Sequence, residues 1–306
     1  MQLQRGSKRA CHRGARGIFL RERDKRLAGS APCVILRADS TLQSTLMKIA
    51  TWNVNSLKVR LPHLLQWLAE NPVDVLCLQE TKLTDDKFPV AAIEAAGYQV
   101  AFSGQKTYNG VAILSKLPIT DVVRNNPRFD DPQQRILAGT IDGMRIICAY
   151  VPNGQSVDSD KYVYKLAWLA SLREWLAEEM ATHAQLAILG DYNIAPDARD
   201  VHDPAEWEGL VLCSDPERAA LAALTALGLS DAFRQFEQAD KSYSWWDYRQ
   251  LAFRRNRGLR IDHILLSAPL AARCTACAID RAPRKWEQPS DHAPVIATLD
   301  QEPMRA

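Results

Sequence analysis

Apolar runs of strand length that stop abruptly at polar residues recur along this chain. The sharpest is Leu186-Ala-Ile-Leu-Gly-Asp-Tyr-Asn193. Residues two apart in an extended segment point the same way, so Asp191 and Asn193 face one site just past a buried strand. One such pair is also ordinary turn chemistry, so the repetition carries the weight. Lys48–Asn53 ends in Asn53 and Asn55, and Val73–Leu78 runs into Gln79-Glu80. The strand from Met144 ends in Tyr150-Val-Pro-Asn153. Ile261–Leu266 opens on Asp262, and Ser290-Asp-His-Ala-Pro294 precedes the last run, which reaches Leu299.

Between these runs the periodicity changes. Leu61, Leu64, Leu65 and Leu68 fall at i, i+3, i+4, i+7, an amphipathic helix, so the opening reads strand, helix, strand. Tyr98–Ser103 and Val111–Leu114 are expected as two strands. Asp142-Gly143 predicts a tight turn between 135–141 and 144–151. A long helix is expected over 159–180. A second is expected near 215–228, with Asp215 as N-cap, Pro216 at N1 and Gly228 as the stop. Ser242–Trp246 reads as a short aromatic strand. Strands, helix, strands occur twice, which predicts α/β architecture: two sheets packed face to face with helices outside.

With 306 residues and 47% apolar content, the body can bury a large core. No apolar run reaches the roughly 18–20 residues that span a bilayer. Seven cysteines, two of them inside strand-like runs (Cys77, Cys148), argue against a disulfide framework and for a reducing compartment. Cys274 and Cys277 form a lone Cys-x-x-Cys without a second pair. Residues 1–46 hold ten Arg/Lys against three acids, a balance of +7 in a chain whose total is +2, leaving −5 for the rest. That stretch lacks hydrophobic periodicity. We expect a basic, disordered extension, with an organellar leader or a nucleic-acid arm as alternatives. The catalytic domain is expected over 47–306.

Taken together, the polar ends are Asn53, Glu80, Tyr150, Asp191, Asn193, Asp262, Asp291 and His292. Hard oxygen donors without a Cys/His set suit Mg²⁺, with Mn²⁺ as substitute, over Zn²⁺. Glu80 is the first candidate ligand. The other acids are free to hold an attacking water and to charge a histidine. Each also has a plainer reading, as a turn residue, a solvated strand end or a cap. His12, His63, His183, His202 and His263 lack comparable neighbours and read as structural or surface residues.

Trp52-Asn53-Val-Asn55, Leu78-Gln-Glu-Thr-Lys82, Gly190-Asp-Tyr-Asn-Ile-Ala-Pro196, Arg257-Gly-Leu-Arg-Ile-Asp262 and Ser290-Asp-His-Ala-Pro294 form an ordered set. It resembles that of the exonuclease III-type apurinic/apyrimidinic endonucleases of the endonuclease/exonuclease/phosphatase superfamily. Gly104-Gln-Lys and Ser244–Arg249 resemble its bacterial branch. The resemblance covers Met47 to about Leu299 and implies a four-layered α/β sandwich. It implies a Mg²⁺-dependent phosphodiesterase that nicks duplex DNA 5′ to abasic sites, clears 3′ blocks and degrades 3′→5′. It makes Glu80 the metal holder with Asn55 and Asp291 nearby, and groups Asn53, Asp191 and Asn193 with that centre. Asp191 binds or deprotonates the water, and Asn193 orients it. His292, paired with Asp262, contacts a phosphate oxygen; Tyr150 and Asn53 complete the cradle. Some members carry Asp at the position of Asn55, so this chain has one charge fewer there.

The mildly acidic body means that DNA must be gripped by a local rim. The candidates are Lys58, Arg60, Lys106, Tyr108, Asn109, Asn153, Arg254, Arg255 and Arg257. An abasic sugar needs a small apolar pocket, and the resemblance implies Trp245, Leu259 and Ile261 as its walls. The expected partner is double-stranded DNA with abasic or 3′-blocked sites. The expected state is a monomer in a bacterial cytoplasm, associated with the nucleoid and not with a membrane. The competing functions are a phosphatase of the same fold acting on a small phosphoester, and a DNA-binding protein with a silent site.

Overall fold

Two parallel strand pairs, each formed across a helix, lie at the centre of the fold. The first unit is β1 (Leu46–Asn53), α1 (Leu57–Glu70) and β2 (Val75–Gln79), followed by α2 (Val90–Ala95), β3 (Gln99–Ser103) and β4 (Val111–Ser115). The second is β5 (Thr120–Arg124), β6 (Ile136–Ile141), β7 (Met144–Tyr150), α3 (Asp160–Thr182) and β8 (Leu186–Asp191). The remainder is α4 (Pro204–Trp207), α5 (Asp215–Thr225), β9 (Leu229–Asp231), β10 (Asp262–Ser267), α6 (Ala268–Arg273), β11 (Cys274–Ile279) and β12 (Val295–Asp300). The computed structural model describes residues 46–301. The expectation for residues 1–46 therefore lies, Leu46 apart, outside the described residues.

One sheet runs β11-β12-β1-β2-β4-β3 and the other β5-β6-β7-β8-β10-β9. β1 pairs with β2, and β7 with β8, in parallel; the other pairs are antiparallel. Three apolar layers separate four structural ones. Ile49, Cys77, Ile113, Ile146, Leu189 and Ile264 pack between the sheets. Trp168, Leu172 and Trp175 of α3 and Leu221 and Leu224 of α5 cover one outer face. Leu64, Trp67 and Leu68 of α1 and Ile93 of α2 cover the other. This is the expected α/β sandwich.

Strand alternation then places the polar ends. On β1 the residues facing the other sheet are Met47 and Ile49, and the next two positions in that series are Thr51 and Asn53. On β7 the series is Met144, Ile146, Cys148, Tyr150; on β8 it is Ala187, Leu189, Asp191; on β10, read backward, it is Leu266, Ile264, Asp262. Each inward series turns from apolar to polar at the same end of the sandwich. Buried polar groups there can pair with each other across the closing seam.

Three local expectations are corrected. Ser214, not Asp215, caps α5, because the Glu217 carboxylate accepts both the Ser214 amide (3.1 Å) and its hydroxyl (2.5 Å). Ser242–Trp246 is no strand: Trp245 makes isolated bridges to Leu259 and His292, and so fastens two loops. Asp191 and Asn193 do converge, but not through extended backbone. Asn193 has φ 49°, a left-handed turn that folds its amide back onto Asp191.

Candidate active site

Register puts the first layer of the site in a row. Tyr150 lies opposite Asp191 across the β7–β8 pair, and Asp191 opposite Asp262 across the β8–β10 pair. Neighbours in register face the same side of a sheet, so a phenol and two carboxylates stand side by side. From the other sheet, Asn53 donates to Asp191 Oδ2 and to Glu80 Oε1, each at 2.9 Å, and Tyr150 donates to the same Glu80 oxygen at 2.9 Å. Glu80 itself lies one residue beyond β2, in a left-handed conformation (φ 53°).

His292 closes the cluster. Its Nδ1 lies 2.9 Å from Asp262 Oδ2 and its Nε2 lies 3.7 Å from Asp191 Oδ2. Ser290 anchors this loop, donating to the Asn53 carbonyl at 2.7 Å and accepting from the His292 amide. Burial opposes a charged imidazole, but Asp262 and Asp191 outweigh it and hold the His292 pKa at about 10. The imidazolium is thus the normal form. Burial pushes the Asp191 pKa up to about 7, with Asp262 and Glu80 adding to the rise and His292 and Asn53 opposing it. A carboxylate tuned near neutrality can take a proton from water. Burial, then Glu80 and Asp191, push the Tyr150 phenol upward, so it remains a donor.

A second group lies at the edge of the cluster. Asn55 donates to Asp291 Oδ1 at 2.9 Å, and the Trp245 indole donates to Asp291 Oδ2 at 3.0 Å. Despite burial, His292, Trp245 and Asn55 hold Asp291 below the usual carboxylate range. Glu80 Oε2 and Asn55 Oδ1 converge on the Lys82 ammonium at 2.7 and 2.6 Å. Two hard oxygens from different loops thus already hold a cation between them, and their chemistry fits Mg²⁺ or Mn²⁺. Glu80, Asp191 and His292 also present ligand atoms within 4.8 Å of one another. A protonated His292 has no lone pair to offer, which leaves the oxygen donors as the candidate metal holders.

A family model for the Endonuclease/Exonuclease/phosphatase family matches residues 50–292. The chain belongs to the endonuclease/exonuclease/phosphatase family. It is 37% identical over 265 residues to exodeoxyribonuclease III of Haemophilus influenzae, covering 82% of this chain and 99% of that protein. A Neisseria 3′ phosphatase bound to a product DNA hairpin superposes with a TM-score of 0.82 at 48% identity, over 83% of this chain and all of that one. An AP endonuclease from Archaeoglobus fulgidus gives 0.81 at 40% identity, again over 83% and 100%.

Within this family frame, Lys58, Lys106, Tyr108, Asn153, Arg254 and Arg255 are exposed. Three other rim candidates are committed elsewhere. Arg60, half-buried, donates to the backbone carbonyls of Asn55, Gln288 and Pro289, so it braces the 288–289 loop. Asn109 is buried, with its amide on Gln105 and Gln133. Arg257 pairs with Glu206 at 2.7 Å. Leu259 and Ile261 are fully covered; they back Trp245 and offer no wall of their own, because the apolar residues of the 195–213 segment pack over them. Cavities of about 580 Å³ beside Tyr150 and about 250 Å³ beside Trp245 open on the flanks. Sequence reading passed over Lys82, although it stands in the Glu80 motif. It also missed Arg135, whose guanidinium lies 4.7 Å from the Tyr150 ring, and Lys165. No periodicity marks these three; each acts through a contact distant in sequence. Cys274 and Cys277 are free thiols on β11. Among the described residues no helix is long and apolar enough to cross a membrane.

Proposed function

We propose that this chain is a Mg²⁺-dependent DNA-repair phosphodiesterase. It cleaves duplex DNA 5′ to abasic sites, removes 3′-blocking groups and degrades 3′→5′. One observation carries the reading: a charged His292 clamped between Asp262 and Asp191, beside the oxygen pair of Glu80 and Asn55. A proton acceptor, a fixed positive charge and a hard cation site within one cleft are the parts that phosphodiester hydrolysis requires. The relatives support DNA as substrate: one is named an exodeoxyribonuclease, one a 3′ phosphatase seen with DNA, one an AP endonuclease.

In this mechanism Asp191 takes the proton of the attacking water, while Asn193 and Asn53 fix the direction of its carboxylate. His292 donates from Nε2 to a non-bridging phosphate oxygen and neutralises part of its charge. Tyr150 keeps Glu80 in place from one side and lines the cleft on that flank. Bound between Glu80 and Asn55, Mg²⁺ would supply further charge neutralisation at the phosphate and the leaving oxygen. The exposed Lys58, Lys106, Tyr108, Arg254 and Arg255 grip phosphates without reading bases, and Trp245 receives the abasic sugar over Leu259 and Ile261. The reading places a monomer in the bacterial cytoplasm, on nucleoid DNA, with residues 47–306 as its catalytic domain.

The test is a labelled duplex with one abasic-site analogue, beside a 3′-phosphate-ended and an undamaged duplex, with Mg²⁺, Mn²⁺ or EDTA. A metal-dependent nick 5′ to the lesion and loss of the 3′ phosphate are expected. No cleavage of any duplex, with turnover of small phosphoesters instead, would overturn the reading in favour of a phosphatase on non-nucleic substrates.

A further inference from the structure

We propose that Lys165 of α3, buried beneath the catalytic row, is a positioning residue that sets the Asn193 amide against Asp191. Its side chain is fully covered. The ammonium has three donors, and three acceptors meet it: the Asn193 carbonyl at 2.7 Å, the Asn153 carbonyl at 3.1 Å and Glu217 Oε1 at 2.5 Å. Glu217 is saturated in turn by the Leu212 amide and by the amide and hydroxyl of Ser214. Ser214 returns to α3 through the Tyr162 hydroxyl at 2.6 Å.

A buried ion pair of this kind is seldom more stabilising than a well-packed apolar substitute. What it does provide is geometry. The two carbonyls belong to the loops that leave β7 and β8, the two central parallel strands. The side chains of the same two residues bond each other, Asn153 Nδ2 to Asn193 Oδ1 at 3.0 Å. That fixes which way the Asn193 amide faces, and its Nδ2 then points to Asp191 Oδ2 at 3.2 Å and the Val151 carbonyl at 3.0 Å. Asn193 adopts a left-handed conformation, which asparagine enters more readily than most residues, and the Lys165 bond to its carbonyl helps to hold the backbone there. Gly154 (φ +93°) lets the 152–154 loop wrap closely: a Cβ there would lie 3.2 Å from Lys165 Cδ.

The proposal deepens the phosphodiesterase reading and rests on it for its kinetic arm. The test variant is Lys165→Met with Glu217→Gln, which removes both charges together and strands neither. On a 3′-phosphate duplex kcat should fall by about 100-fold, the usual consequence of a misplaced catalytic group, with KM moving less than about threefold. In an Asn193→Ala background the same pair should cost little more, because residues acting through one another are not additive. An unchanged kcat, or a full repeat of the loss in that background, overturns the proposal. The ¹⁵N side-chain amide resonance of Asn193, assigned through Asn193→Ala, gives a readout independent of activity. It should shift in the double variant and also, less far, in the milder Glu217→Gln; an unshifted resonance overturns the proposal. Should the wild type act on no DNA, the functional reading fails alone, and the resonance still decides the positioning role.

Discussion

Replacing Asp262 by Asn tests the charge state of His292, on which the mechanism depends. The imidazole is held from 6.5 up to about 10, which corresponds to about 5 kcal/mol in favour of the charged form. Asp262 is the largest source, through contacts of 2.9 and 3.1 Å to Nδ1. A charge-assisted hydrogen bond is worth about 1.5–3 kcal/mol, so its loss should lower the His292 midpoint by about 1–2 pH units, which leaves the imidazolium dominant at neutrality and brings the alkaline fall in kcat down to about pH 8–9. The assay pairs ¹³C-edited NMR titration of the His292 ring with incision rates from pH 6 to 9. The folded value lies above the free one, so this contribution to stability is complete below pH 6.5 and fades as pH rises toward about 10. The melting-temperature gap between wild type and variant should therefore be widest on the acid side and close on the alkaline side. A His292 midpoint that does not move in the variant refutes the reasoning.

Asp191→Asn should lower hydrolysis by about 10²–10⁴-fold, as for a missing general base, while duplex binding by fluorescence anisotropy stays intact; a rate within about tenfold of wild type would remove Asp191 from its role. In the wild type, the rate should fall on the acid side as Asp191, held at about 7, is protonated, and a flat acid limb in Mn²⁺ and in Mg²⁺ alike would contradict this. Tyr150→Phe deletes the hydroxyl that fixes Glu80 Oε1 and should cost about 10–100-fold in metal affinity or activity, read from the metal concentration at half-maximal rate. Gly190→Ala should cost about 1–3 kcal/mol or more, because a Cβ there would sit 1.8 Å from the Ala149 carbonyl oxygen and push β7 from β8; denaturant unfolding measures it.

Much of the fold was legible because its cues are local. The apolar runs of β1, β7, β8 and β10, the helix period of α1 and the Asp142-Gly143 turn are each set by neighbours a few residues away. The edge strand β3 was legible, but two other edge strands were not. β5 and β11 are largely exposed, so burial impressed no pattern on them. Ser242–Trp246 carried strand-like residues, yet it lies outside either sheet as a seam between the 259 and 292 segments. The candidate site was legible as a set of residue types at strand ends, and Asp191, Asp262, Tyr150, Asn53, Glu80 and His292 do meet.

By itself, then, the sequence determined which strands form and that each central one ends in a polar group, because strand period and burial are written in short-range pattern. Only the tertiary structure decided how those groups are set against one another. Register set Tyr150, Asp191 and Asp262 in one row. The two flanking carboxylates charged His292 against the opposition of burial. Contacts across more than two hundred residues joined Asn55 to Asp291, and Arg60 and Lys165 were turned inward to hold loops. Those outcomes depend on dielectric and distance between segments far apart in the chain, which exist only after the two sheets have packed.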